Sequence, residues 1–152
     1  MHVLFPSWYT VPVSPGTRWR TLPCVGVVPA GPPRDVTPVL TEVDVPDCFG
    51  HGRDLVALQV MGDSMEPLGI RAGDLLIVQR HVSVRPGDIV VVATPEGWTV
   101  KQWQPHRYHV RLHAAHPDHA DREWSLREIT VWGVVIGIFR RDPHTVRIHR
   151  RP

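Results

Sequence analysis

The chain alternates short apolar runs with turn-forming residues and rarely shows helical spacing. Val39-Leu40-Thr41-Glu42-Val43-Asp44-Val45 alternates apolar and polar side chains until Pro46 stops it, the period-two signature of a half-buried strand. Further runs occur at Leu55–Val60, Leu75–Val78, Ile89–Val92, Trp98–Trp103, Tyr108–Leu112 and Ile129–Phe139. Turn chemistry separates them: Gly62-Asp63, Gly73-Asp74, Pro86-Gly87-Asp88, and Pro95-Glu96-Gly97 as a hairpin turn into Trp98. Asp63, Asp74 and Asp88 each come after a glycine and read as turn residues, not as acid–base carboxylates. Asp63 with Glu66 resembles a capping box that opens a short helical turn at Ser64. Residues 113–128 read as loop with one helical turn. Gly133 and Gly137 interrupt the last run and mark bends or bulges. The pattern predicts an all-β, barrel-like or sandwich domain.

The first part of the chain is different. Nine of the sixteen prolines fall by residue 46. Pro6, Pro12 and Pro15 with Gly16 break any helix, so residues 1–21 form an extended arm. Residues 22–33, LPCVGVVPAGPP, are apolar and small at the centre, with prolines holding the backbone extended. Such a segment suits a linker or an edge strand. It also suits a peptidase cleft, which pairs with its substrate as an added strand.

Composition narrows the classes. At 152 residues, 42% hydrophobic and 21% charged, the chain fits one domain with a real core. No window approaches the roughly 18 apolar residues of a membrane helix. The N-terminus lacks the continuous apolar stretch of a secretory signal, which points to the cytoplasm. Cys24 and Cys48 are then expected as reduced thiols. The net charge of +2 is too small to argue nucleic-acid binding for the whole chain. The ending RRDPHTVRIHRRP is basic and suits either phosphate contact or a solvated tail, but no groove-entering helix accompanies it, so direct DNA binding is not expected. His113, His116 and His119 have a metal-like spacing on a helix, yet Pro117 opposes a helix and no cysteine or carboxylate pair completes a site. No metal or cofactor is expected. The six tryptophans serve packing.

Two residues carry candidate chemistry. Ser64 lies just after a strand, where the backbone N–H groups of Ser64 and Met65 could hold an oxyanion beside its own hydroxyl. Gly62 would let a substrate backbone approach. Lys101 lies in an apolar strand beside Val100, Trp98 and Trp103. A lysine is a base only when neutral, and burial lowers its pKa from about 10.4. Ser64 equally fits a helix N-cap, and Lys101 a solvated edge-strand residue.

The order LPCVGVVPAGPP, VMGDSMEPLGIRAGDLLIVQR, RPGDIVVVATPEGWTVKQW and VWGVVIGIFR resembles the LexA/UmuD-like self-cleaving serine peptidases. The likeness runs from about Leu22 to Arg140. It implies that Ser64 is the nucleophile and that Lys101 is the general base. The scissile bond would be Ala30–Gly31, in a substrate loop that includes Val27, Val28 and Pro29. The implied organisation is an arm at 1–21, a cleavage-site loop at 22–38, a Ser–Lys peptidase domain at 39–140 and a basic tail at 141–152. With about thirty residues before the cut and no helix-turn-helix pattern in them, the layout is nearer to UmuD than to a full repressor. The resemblance further implies release of the arm, a homodimer formed partly through Ile129–Phe139, activation by a RecA–single-stranded-DNA filament, and a translesion polymerase as partner.

Two other functions compete. A soluble signal-peptidase-like protease would also use serine and lysine, but the missing anchor and the internal Ala30–Gly31 junction count against it. A non-catalytic dimerisation module derived from a repressor would not need both Ser64 and Lys101.

Overall fold

The computed structural model of the protein describes residues 7–29, 37–50, 54–62, 69–114, 120–141 and 143–150. The described residues contain no helix. Their strands are β1 (Ser7–Val11), β2 (Trp19–Pro29), β3 (Thr37–Pro46), β4 (Leu55–Met61), β5 (Leu75–Gln79) and β6 (Ile89–Thr94). The remaining strands are β7 (Gly97–His106), β8 (His109–His113), β9 (Arg122–Ser125), β10 (Thr130–Arg141) and β11 (His144–Arg150). All join one sheet, in the order β3-β2-β4-β5-β10-β6-β7-β8-β9, with β11 pairing β10 and β1. β2 also contacts β7, so the sheet curls back on itself. The all-β, barrel-like expectation holds.

The seven apolar runs become β3 to β8 and β10. Two of the turns that start strands are built alike. In Arg71-Ala72-Gly73-Asp74 the Asp74 carboxylate accepts from Arg71 N at 2.8 Å, and in Arg85-Pro86-Gly87-Asp88 the Asp88 carboxylate accepts from Arg85 N at 2.7 Å. Each aspartate mimics a backbone turn acceptor, as expected from its position after glycine. Asp63 and Glu66 lie outside the described residues.

β10 is long and apolar because it is central. It pairs with β5 and β11 along one stretch and with β6 along another, and Val134, Val135, Ile138 and Phe139 are buried within the one chain. Those four apolar side chains are thus used inside the domain. Serving several neighbours requires two irregularities, between Val131 and Gly133 and between Val135 and Gly137. The glycines sit where bulges were expected, and for a steric reason. A Cβ on Gly137 would run into the Phe49 ring, and one on Gly133 into Val78. Gly137→Ala is expected to destabilise by about 1–3 kcal/mol, whereas Gly16→Ala, with nothing within 4 Å, should be close to neutral. Urea unfolding midpoints check this; equal midpoints would contradict the packing role.

The first and last of the described strands meet. β1 pairs antiparallel with β11, from Ser7↔Arg150 to Val11↔Val146. The basic stretch expected as a tail is therefore a strand in which Val146 and His149 are buried. β2, which read as loop or edge, lies inside the sheet between β3 and β4, while β3 takes the edge. β9 falls where loop was expected. Cys24 and Cys48 are both free thiols in the cluster that holds Leu22, Val45, Phe49 and Phe139.

Candidate active site

β4 carries the chain to Gly62, whose φ of 87° lies in the left-handed region that favours glycine. Ser64 and Met65 come next in sequence and lie outside the described residues, as do Ala30 and Gly31. The flanking residues are described on both sides of Ser64. Upstream, Val28 and Pro29 of β2 run parallel to Val60 and Met61 of β4 as register partners. The strand leading to Ala30 and the strand leading to Ser64 thus end side by side.

Downstream, Gly69 sits under a clamp. Arg140 Nη2 and Arg147 Nη1 each donate to the Gly69 carbonyl at 3.1 Å. Arg140 also grips Asp74, with Nε to Oδ1 at 2.8 Å and Nη2 to Oδ2 at 2.9 Å. This two-pronged pairing is the geometry guanidinium and carboxylate prefer. Its hydrogen bonds hold the Arg140 pKa above the ordinary value. Asp74 is fully buried, so the pair anchors the G-I-R-A-G-D turn to β10. Burial and the neighbouring Arg140 charge move the Arg147 pKa the other way, downward.

Lys101 sits in β7 opposite Val90 of β6 and is only 6% exposed. Nζ donates to Thr99 Oγ1 at 3.0 Å. Thr99 is two residues away on the same strand and so on the same face. Burial pulls the Lys101 pKa down to about 8, and the charge of Asp121 opposes the shift. The desolvated lysine expected from sequence is therefore present, and the solvated edge-strand alternative is not. Its surroundings differ in detail from expectation, because Trp98 turns to an edge-on contact with Trp132. Asp121 is held at the end of β8 by His113 Nδ1 at 2.9 Å and by the Ala114 N–H at 3.2 Å. His113 thus serves a carboxylate; His116 and His119 lie outside the described residues.

One buried cluster joins the three regions: Val28 of β2, Val60 of β4 and Val100 of β7 pack together with Leu58, Val91 and Ile138. Val28, Val60 and Val100 lie within four residues of Ala30, Ser64 and Lys101 respectively. Of the substrate-loop residues, Val28 and Pro29 are buried and Val27 is half-buried. Sequence reasoning missed Thr99, Asp121 and Arg140. Thr99 could have been found from its two-residue spacing to Lys101; the other two are remote in sequence and carried no local signal.

Residues 23–136 match the Peptidase S24-like family. Among curated proteins, the chain is 38% identical over 126 residues to the LexA repressor of Geobacillus thermodenitrificans, covering 79% of this chain and 58% of the relative. It is 37% identical over 124 residues to the LexA repressor of Geobacillus kaustophilus, with coverage again of 79% and 58%. For the LexA repressor of Syntrophobacter fumaroxidans the identity is 35% over 124 residues, with 79% and 58% covered. The chain thus matches 58% of the length of these relatives. The family match spans most of the β-domain, including both turns and the buried lysine. This chain belongs to the Peptidase S24-like family.

Proposed function

We propose that the protein is a self-cleaving Ser–Lys peptidase that cuts its own Ala30–Gly31 bond. The observation that carries this reading is Lys101, a buried amine whose proton is loosened into the range where it can act as a base. Ser64 Oγ attacks the Ala30 carbonyl carbon while Lys101 Nζ accepts the hydroxyl proton. The N–H groups of Ser64 and Met65 receive the developing oxyanion. Lys101 then returns the proton to the departing Gly31 amine, and water hydrolyses the acyl-enzyme. The parallel run of β2 beside β4 supports an intramolecular attack, which replaces a bimolecular encounter by a positional one.

The relatives are LexA repressors, which supports a place in the cytoplasmic response to DNA damage. A RecA–single-stranded-DNA filament would favour the docked state of the cleavage loop without supplying catalytic groups. The finer reading is a homodimer whose cut form associates with a translesion polymerase in the manner of UmuD.

Intact mass after incubation at neutral pH and near pH ~10 tests the chemistry, beside a Ser64→Ala control. Because Lys101 must lose its proton, the rate should climb about tenfold per pH unit and level off above about 8. Fragments 1–30 and 31–152 are expected from the wild type and neither from the control. A chain uncut at both pH values, with filaments added, would favour the non-catalytic dimerisation module.

A further inference from the structure

We infer that cutting the Ala30–Gly31 bond does not free the N-terminal fragment: β2 stays seated between β3 and β4 as a strand supplied by a separate chain. This rests on the cleavage site proposed above and concerns the state of the two fragments after the cut. Residues 30–36 connect β2 to β3, so the bond joins two strands that are hydrogen-bonded to each other. After cleavage β2 belongs to one fragment, and both of its neighbours belong to the other.

Three features hold it there. First, β2 pairs on both edges, antiparallel to β3 from Trp19↔Pro46 to Val27↔Thr37 and parallel to β4 from Cys24↔Ala57 to Pro29↔Met61. Among the described residues β3 pairs with β2 alone. Departure of β2 would therefore strand β3 and open an edge on β4. Second, Leu22, Cys24 and Val28 are buried in two different core clusters, so departure also exposes the interior. Third, β1 travels with β2 in the same fragment and pairs with β11. There the Trp8 ring lies 4.8 Å from the His149 ring, and the Arg147 guanidinium lies 5.2 Å from the Trp8 ring. The cut breaks one peptide bond, adds one water and leaves all these contacts in place. Expulsion of the arm then requires something that pulls on it.

Two preparations test this. The wild type is held at alkaline pH until denaturing mass spectrometry shows fragments 1–30 and 31–152, then returned to neutral pH for native mass spectrometry. In parallel, a Ser64→Ala chain with residues 31–36 replaced by the recognition sequence of an added protease is cut by that protease. The expected result from both is one particle of the uncut mass, 17.2 kDa per chain, plus one water, adjusted in the second for the inserted sequence. Thr10→Pro in the exposed part of β1 should shorten fragment retention on dilution by about tenfold or more, and an unchanged lifetime would overturn the part assigned to β1. A 31–152 particle lacking the small fragment, from either preparation, overturns the inference. A wild type that never cuts refutes the self-cleavage reading alone, since the protease-cut chain still reports on retention.

Discussion

Lys101→Met is expected to leave the chain uncut at every pH and to make it more stable at neutral pH. Both effects come from one cause. The amine is 6% exposed and its pKa is lowered to about 8 by burial. The unfolded chain therefore holds this proton more tightly than the folded one, and between about pH 8 and 10.5 stability rises with pH. Below that window the folded protein bears the full cost of a charged, poorly solvated ammonium, on the order of 3 kcal/mol at about 1.4 kcal/mol per pKa unit. Methionine follows the unbranched path of the side chain to within its terminal atom and carries no charge. Part of the gain will be lost to imperfect packing beside Thr99, so about 1–3 kcal/mol of stabilisation is expected. The difference should shrink as the pH approaches 10.5, where the lysine is neutral in the folded state and half neutral in the unfolded one. Thermal unfolding of both proteins at pH 7 and near pH ~10 measures it. A variant that melts below the wild type at pH 7 would show that Lys101 is held by contacts worth more than its desolvation.

Asp74→Ala should be the most damaging change outside the proposed catalytic pair. Asp74 is 1% exposed and accepts from Arg140 twice and from Arg71 N once. Its loss strands a guanidinium that is itself largely covered, at a cost of about 3–5 kcal/mol. Arg140→Met alone leaves the buried carboxylate without its cation and should cost a similar amount. The double variant Asp74→Ala with Arg140→Met should cost clearly less than the two singles combined, because no orphaned charge remains. Cleavage should also slow in Asp74→Ala at temperatures where the protein is still folded, since Arg140 ties Gly69 and Asp74 to β10 just downstream of Ser64. Chemical denaturation of the four-member cycle gives the coupling. Additive costs would mean that the pair is a surface-like contact despite its burial.

How much of this was legible in the sequence depends on the range of the interactions. The seven apolar runs were readable because alternation and Gly-Asp or Pro-Gly turns are local. β9 was not, since Arg122-Glu123-Trp124-Ser125 has four residues and one large apolar side chain. β11 was hidden by charge: His144-Thr145-Val146-Arg147-Ile148-His149-Arg150 alternates, but its arginines gave it the look of a tail. Proline at 23 and 29 argued against an inner strand for β2. The parallel pairing that places it there is a long-range fact with no local trace. At the candidate site Lys101 was legible through its apolar neighbours. Arg140 was not, because its partner Asp74 is 66 residues away.

The pairing of the first strand with the last also orders events during synthesis. β2 and β3 are adjacent in sequence and can close as a hairpin soon after they leave the ribosome. β6, β7, β8 and β9 can likewise form in succession as local antiparallel neighbours. β1 must wait for β11, nearly the whole chain later, which at roughly 5–20 residues per second is on the order of 10 s. Over that interval the nascent chain exposes the apolar sides of Val11 and Val13, which in the finished sheet pack against the cluster of Leu22, Val45, Phe49 and Phe139. A ribosome-stalled chain lacking β11 should therefore be open to proteolysis at β1 while its central hairpins are already protected.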